Sequence, residues 1–182
     1  MPMAQHSTFT IHRSPHPHSD EERAAILANP GFGSHFTDHM VVIDYEEGKG
    51  WHNHRVVPYA PFSVEPASMV LHYGQAIFEG LKAYRHADGE IVTFRPTANA
   101  ARFQSSADRM AMPRLSEEDF IDSIRNLSLS TRNGFRSRVA RNASTCVPSC
   151  LLQRMDWEFI LRRSSPMFLL RLQLAHISPR EA

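Results

Sequence analysis

The apolar positions of residues 1–127 follow first the spacing of strands and then that of helices. Short apolar runs bounded by glycine turns predict two β-hairpins. One hairpin joins a strand at His39–Tyr45 to a strand at Trp51–Val57 through the turn around Gly48–Gly50. The other joins Glu79–Arg85 to Glu90–Phe94 through the turn at Asp88–Gly89.

Two helices are predicted after these hairpins. Thr97 is in a position to cap a helix that runs to about Met110, and Ser116 begins a second helix with Asp119 in place of the glutamate of a capping box. The first helix repeats its apolar residues at i, i+4 and i+7 and the second carries a similar stripe, namely Phe103, Ala107 and Met110, then Phe120, Ile121, Ile124 and Leu127. Strands followed by helices predict an α+β fold, an antiparallel sheet with helices packed on it.

The segments on either side of this domain have a different character. Residues 1–30 are rich in histidine and proline and predict a flexible arm with one short helix, Asp20–Ala28. The histidines of the arm lack acidic or cysteine partners, so no metal site is expected. Residues 31–127 form the predicted domain. Residues 128–182 follow neither a helical nor a strand period, and we expect an irregular tail.

Charge divides the chain at the same place. The chain has 182 residues and a net charge of +1, but residues 1–127 carry −5 and residues 128–182 carry +6. The tail holds nine arginines, no lysine and both cysteines, Cys146 and Cys150. There is no apolar signal segment near residue 1 and no apolar run of about 18 residues, so we expect a soluble cytoplasmic protein.

Candidate chemistry concentrates in the segment Leu71–Arg85 and at Arg102. The segment combines two glycines, which allow sharp turns or close approach of a ligand, with large rings and charged residues. Its alternative interpretation is a loop that enters a half-buried strand. Arg102 lies near the start of a predicted helix, where an arginine and backbone N–H groups can hold an anion together. The alternative there is a solvated helix arginine.

Several motifs in unbroken order resemble the branched-chain amino acid aminotransferases, which are pyridoxal-phosphate enzymes of the class IV fold. They are Phe36-Thr37-Asp38-His39-Met40, Gly50-Trp51, the string from Leu71 to Arg85, Phe94-Arg95-Pro96, Asn99, Arg102-Phe103 and Ser106-Ala107. The resemblance covers roughly residues 31–127. It implies the small N-terminal domain of that fold, without the larger domain that carries the cofactor lysine.

The resemblance also implies roles for single residues. Arg102 matches the arginine that binds the phosphate of pyridoxal 5'-phosphate. Tyr73 and Phe78 match walls of the pocket for a branched side chain, and Gly80 matches its floor. An apolar pocket suits leucine, isoleucine and valine, because shape rather than hydrogen bonding distinguishes them. The implied reaction moves their amino group to 2-oxoglutarate in a homodimeric enzyme, with no nucleic-acid or membrane partner.

No residue of this chain matches the catalytic lysine. The chain has two lysines, Lys49 in a predicted turn and Lys82 at a family position that does not form the Schiff base. We therefore expect an inactive fragment of the enzyme. The alternative is a non-catalytic binding or subunit-interaction module, in which the basic tail binds an acidic surface or nucleic acid.

A change of reading frame explains the tail with one cause. When the codons after residue 127 are read one nucleotide earlier, Met155-Asp156-Trp157-Glu158 necessarily gives Gly-Leu-Gly. In the same frame Asn133–Arg136 permits Trp-Val-Pro and Thr145–Cys150 permits Leu-Arg-Pro-Phe-Met. The family carries these three motifs in this order after its second helix. The hypothesis is a frame-shifted, prematurely ended aminotransferase whose substrate-carboxylate arginine is lost with the original frame.

Overall fold

The computed structural model describes residues 8–29, 32–85, 88–131, 144–152 and 167–177. In chain order the elements are β1 (Thr10–Ile11), α1 (Asp20–Ala28), β2 (Phe32–Glu46), β3 (Gly50–Pro58), α2 (Met69–Tyr73), β4 (Ala76–Phe78), β5 (Leu81–Arg85), β6 (Ile91–Thr93), α3 (Pro96–Arg109), α4 (Glu117–Ser130), β7 (Ser144–Leu152) and β8 (Met167–Ile177).

One mixed sheet carries the fold. Its strand order is β1-β3-β2-β8-β7-β5-β6, with β4 paired to β7 beside that path. All neighbours are antiparallel except β1 and β3. The β2–β3 and β5–β6 pairings confirm both predicted hairpins. In the first, Lys49 N–H donates to the Glu46 carbonyl over 3.1 Å. Gly48 and Gly50 adopt φ of +84° and +78° there, which suits glycine.

Helices α3 and α4 pack against this sheet and against each other. The rings of Phe103 and Phe120 meet with centroids 5.5 Å apart. Both lie in one core with strand residues, among them Val41, Ile43 and Val56. The predicted stripes are confirmed: Phe103, Ala107, Phe120, Ile124 and Leu127 are buried, and Met110 and Ile121 pack partly buried beside them. The α+β class follows from this arrangement.

Local signals predict the start of α4 correctly but not that of α3. The Ser116 hydroxyl accepts the Asp119 N–H over 2.9 Å, as predicted. The shorter aspartate takes the serine hydroxyl proton instead of the backbone N–H that a glutamate would reach. The prediction that Thr97 caps α3 is wrong. Arg95 is the cap residue with φ +47°, and Pro96 is the first helical residue, where its fixed φ is favourable and no N–H is missed.

The arm differs from its prediction in one respect. Helix α1 lies at the predicted residues, but the segment before it is attached to the domain rather than free. Strand β1 pairs with β3 through Thr10 and Arg55, and Ser14 N–H donates to His39 Nε2 over 2.9 Å. The physical reason is the open edge of β3, whose unpaired backbone groups bind an extended segment. Residues 1–7 lie outside the described residues.

The expectation of an irregular tail is not matched where the structure describes that segment. Helix α4 continues to Ser130, and β7 and β8 then fill the sheet between β2 and β5. Leu170, Leu172 and Leu174 alternate with polar or small residues, a strand pattern that the sequence interpretation treated as an interrupted apolar patch. The edges of β2 and β5 need backbone partners, which two strands with this pattern supply.

Candidate functional site

The segment Leu71–Arg85 folds into a turn of helix and two short strands. Helix α2 ends at Tyr73, and Gly74 follows with φ +60°, the left-handed conformation that glycine adopts readily at a helix end. Ala76 N–H then bonds the Gly74 carbonyl over 2.8 Å, and β4 begins. The simpler interpretation, a loop entering a strand, therefore missed α2. The segment brings two rings to the surface within six residues.

All four residues that the sequence singled out lie at the surface. The exposed fractions are 70% for Tyr73 and 76% for Phe78, and Gly80 is also exposed. The Arg102 side chain on α3 is 62% exposed. Large exposed rings in a small area are characteristic of surfaces that bind another molecule.

Glu79 connects two of these four residues. Its carboxylate accepts both edge donors of Arg102: Nε bonds Oε2 and Nη2 bonds Oε1, each over 2.9 Å. The Gly80 N–H donates to Oε1 over 2.9 Å. Asn99 Nδ2 reaches the same oxygen and the Gly80 carbonyl, each over 3.1 Å. Arg102 and Gly80 are thus brought together, whereas no described hydrogen bond joins Tyr73 to them.

This contact fixes the charge of both partners. Burial raises the pKa of Glu79, but the hydrogen bonds from Arg102, the Gly80 N–H and Asn99 outweigh it and hold that pKa below its usual value. The hydrogen bonds that Arg102 donates to Glu79 raise the pKa of Arg102. The pair is therefore ionised at neutral pH. Two of the five guanidinium N–H groups face Glu79, and the other three are directed away from this carboxylate.

Sequence reasoning missed Glu79 and Asn99 as members of the site. A signal was present, because Asn99 and Arg102 are three residues apart and so share one face of a helix. Asn99 is only 7% exposed, and a buried amide needs partners. Glu79 directly precedes Gly80, but the sequence does not show that β4 and β5 return this carboxylate to α3.

The comparisons with known proteins agree with the resemblance of the motifs. No family model matches the chain. The chain is 61% identical over 119 residues to the branched-chain-amino-acid aminotransferase of Mycolicibacterium smegmatis, a match over 65% of this chain and 32% of that protein. It is 63% identical over 115 residues to a probable enzyme of that name in Streptomyces coelicolor, covering 63% of this chain and 32% of the relative.

This chain is related to the branched-chain-amino-acid aminotransferases. It spans about a third of the length of the curated relatives it matches. A solved aminotransferase of this kind from Thermobaculum terrenum, in its PLP form, aligns at TM-score 0.50 with 20% identity over 74% of this chain and 39% of its own. A second solved enzyme of the same name, with pyridoxamine 5'-phosphate, gives TM-score 0.50 and 20% identity, over 78% of this chain and 41% of its own. These likenesses confirm the predicted fold class.

The residues present fit one end of the family cofactor. An exposed arginine with three N–H groups directed away from its carboxylate partner suits a phosphate group. Neither lysine suits the other end. Lys49 is exposed in the β2–β3 turn, and Lys82 lies on β5 between the buried Leu81 and Ala83, so it points away from the core that α3 joins. A nucleophilic lysine needs a desolvated or cationic environment, which an exposed strand position does not supply.

A cavity of about 410 Å³ lies elsewhere, between the arm, α1 and the end of α4. Arg13, Arg23, Asp38 and His39 are among its lining residues, and none of the four predicted site residues is. Across the described ranges, no helix is long and apolar enough to cross a membrane. The same ranges hold no group of three or more histidine, cysteine or acidic residues arranged to bind a metal ion.

Proposed function

We propose that this chain forms the phosphate-binding and side-chain-binding face of a branched-chain amino acid aminotransferase. The observation that carries the proposal is the presentation of Arg102. Its side chain is 62% exposed, yet Glu79 holds the guanidinium in a fixed orientation beside Gly80. In the proposal Arg102 binds the phosphate of pyridoxal 5'-phosphate. The cofactor, when bound, supplies the electron sink for the reaction.

The proposal assigns recognition of the branched side chain to Tyr73, Phe78 and Gly80. The two rings offer apolar surface that the described chain leaves open. A Cβ placed on Gly80 would meet nothing within 4 Å, so packing within this structure does not require a glycine there. The remaining reason for a glycine at this position is the close approach of a ligand. Apolar shape without hydrogen-bonding groups suits leucine, isoleucine or valine.

Binding of the cofactor phosphate tests this proposal directly. We expect the 182-residue chain to bind pyridoxal 5'-phosphate more tightly than pyridoxal, and Arg102→Met to remove that difference. Arg114→Met is the matched control. Arg114 is 63% exposed and forms the same two-fold contact with Asp108, on a different part of the surface. Equal binding of both compounds by the unaltered chain, or equal effects of the two variants, would refute the proposal.

Binding of the cofactor does not by itself give turnover, because a transaminase also needs a lysine that moves a proton during the reaction. We expect no turnover of leucine and 2-oxoglutarate by this polypeptide in the presence of added cofactor. Ordinary enzymes reach roughly 1–1,000 turnovers per second, so the assay has a wide range in which to detect activity. A rate in that range would show that Lys49 or Lys82 serves as the catalytic lysine.

The proposal also includes pairing of two copies, which the family resemblance implies, and a cytoplasmic location. Exposed apolar side chains outside the proposed side-chain-binding surface support pairing, namely Leu71 and Phe94. Sedimentation at several concentrations tests it, and a monomer at all of them would contradict this part. Fractionation of cells that produce the chain tests the location. Salt-sensitive binding of nucleic acid would favour the alternative of a binding module with a basic tail.

We further propose that residues after 127 derive from a shifted reading frame. The change of net charge from −5 to +6 at this point supports the idea. The strands β7 and β8 do not argue against it, because backbone pairing requires extended chain and no particular side chains. The nucleotide sequence around codon 127 is the test. A gene whose other frame fails to encode the family motifs would exclude a shift.

A further inference from the structure

Glu79 is more buried than the arginine it contacts. Its side chain is 12% exposed, against 62% for Arg102. The carboxylate receives four hydrogen bonds: two from Arg102, one from Asn99 and one from the Gly80 N–H. Asn99, 7% exposed, completes the contact by bonding the Gly80 carbonyl. The link between β4 and β5 is therefore attached to the first turns of α3 through one carboxylate.

The geometry of this contact has a directional consequence. A carboxylate that accepts Nε–H and one Nη2–H occupies one edge of the guanidinium and fixes its plane. The three remaining N–H groups then point away from the carboxylate, two at the end of the guanidinium and one on its far side. An exposed arginine without such a partner samples many rotamers, and ordering it on an anion opposes binding.

We propose that Glu79 is a positioning residue that fixes Arg102 with its free edge outward, as a preformed receptor for a phosphate group. The proposal rests on the phosphate role of Arg102 and extends it to a second residue. Glu79 does not contact the anion in this arrangement and acts through Arg102. Glu79 also holds the Gly80 peptide beside the guanidinium, so this one residue positions both the phosphate-binding and the side-chain-binding parts of the proposed site.

The direction in which Glu79→Gln changes phosphate binding distinguishes positioning from a simple charge effect. Glu79 neutralises Arg102, so a purely coulombic view predicts that Glu79→Gln strengthens anion binding. Positioning predicts the opposite, since an amide cannot accept both arginine N–H groups: its NH₂ would face one of the donors. The direction of the change therefore separates the two effects.

The experiment is a titration of the isotope-labelled 182-residue chain with inorganic phosphate at constant ionic strength, followed by NMR on the Arg102 Nε–H signal. We expect Glu79→Gln to weaken phosphate binding roughly tenfold, within the range of couplings in one hydrogen-bond network. Glu79→Asp keeps the charge but shortens the reach, and we expect an intermediate loss. It replaces Glu79→Gln if that variant does not fold. Asp108→Asn removes a similar contact to Arg114 and should leave phosphate binding unchanged.

Arg102→Met separates positioning from a general structural effect, with binding in these backgrounds followed on the Gly80 amide signal. If Glu79 acts through Arg102, adding Glu79→Gln to Arg102→Met changes phosphate binding no further. Unchanged or tighter binding in folded Glu79→Gln or Glu79→Asp would overturn the inference, as would an equal loss in both backgrounds. In each of those cases Arg102 would still bind phosphate and the proposed function would stand. Failure of phosphate to bind at Arg102 in the unaltered chain would overturn both.

Discussion

Two leucines on α4 provide a matched test of the core. Leu127 is completely buried, and Leu129, two residues later on the same helix, is 59% exposed. Leu127 belongs to the core cluster with Phe103 and Phe120. Replacing either leucine by alanine removes the same atoms and changes helix propensity equally. Any difference between the two variants therefore reports burial.

The expected magnitudes are far apart. Leu127→Ala combines lost transfer free energy with a cavity, and such changes lower the free energy of unfolding by about 2–5 kcal/mol. Leu129→Ala loses only the buried part of its side chain, so we expect under about 1 kcal/mol. The free energy of unfolding of a small domain is about 5–15 kcal/mol in total, so Leu127→Ala should remove a large share of it.

Urea unfolding followed by far-ultraviolet circular dichroism measures both variants. At a slope of about 2 kcal/mol per molar urea, Leu127→Ala should lower the midpoint by roughly 1–2.5 M and Leu129→Ala by under about 0.5 M. Ile124→Val is the milder core change if Leu127→Ala does not fold, with an expected loss of about 0.5–1.5 kcal/mol. Equal losses for the two leucine variants would refute the packing of α4 described above.

Three further predictions concern local features. Ser116→Ala removes the cap of α4 and should lower the free energy of unfolding by about 1 kcal/mol, measured by urea unfolding. Gly74→Ala places a side chain on a residue with φ +60° and should lower the free energy of unfolding by about 1–2 kcal/mol. Gly80→Ala adds a Cβ in open space and should change the free energy of unfolding by under about 0.5 kcal/mol. Similar losses in the two variants would contradict this prediction. Burial alone would raise the pKa of Asp44, but hydrogen bonds from Arg55 and Asn53 outweigh burial and lower it below its usual value. The contribution of Asp44 to stability is therefore present above about pH 4 and is lost as the pH falls. The difference in free energy of unfolding between the unaltered chain and Asp44→Asn should decrease in acid, and a difference that stays constant with pH would refute this prediction.

Local signals in the sequence were sufficient for most of residues 32–131. Alternation and glycine turns predicted the β2–β3 hairpin, and the spacing of Phe120, Ile124 and Leu127 predicted the buried face of α4. These features depend on neighbours a few residues apart, so their information is in the local sequence. The predicted start of α3 is wrong because two local signals compete there, and Pro96 rather than Thr97 sets the first residue of the helix.

The sequence by itself determined the α+β class, the candidate residues and the relationship to the aminotransferases, because motifs and periodicity are properties of the string. Only the tertiary structure decided that the Glu79 carboxylate meets Arg102, 23 residues away, and that the arm pairs with β3. It also decided that β7 and β8 complete the sheet. Such contacts depend on which elements pack side by side, a choice made by the burial and backbone pairing of the whole chain rather than by any one segment.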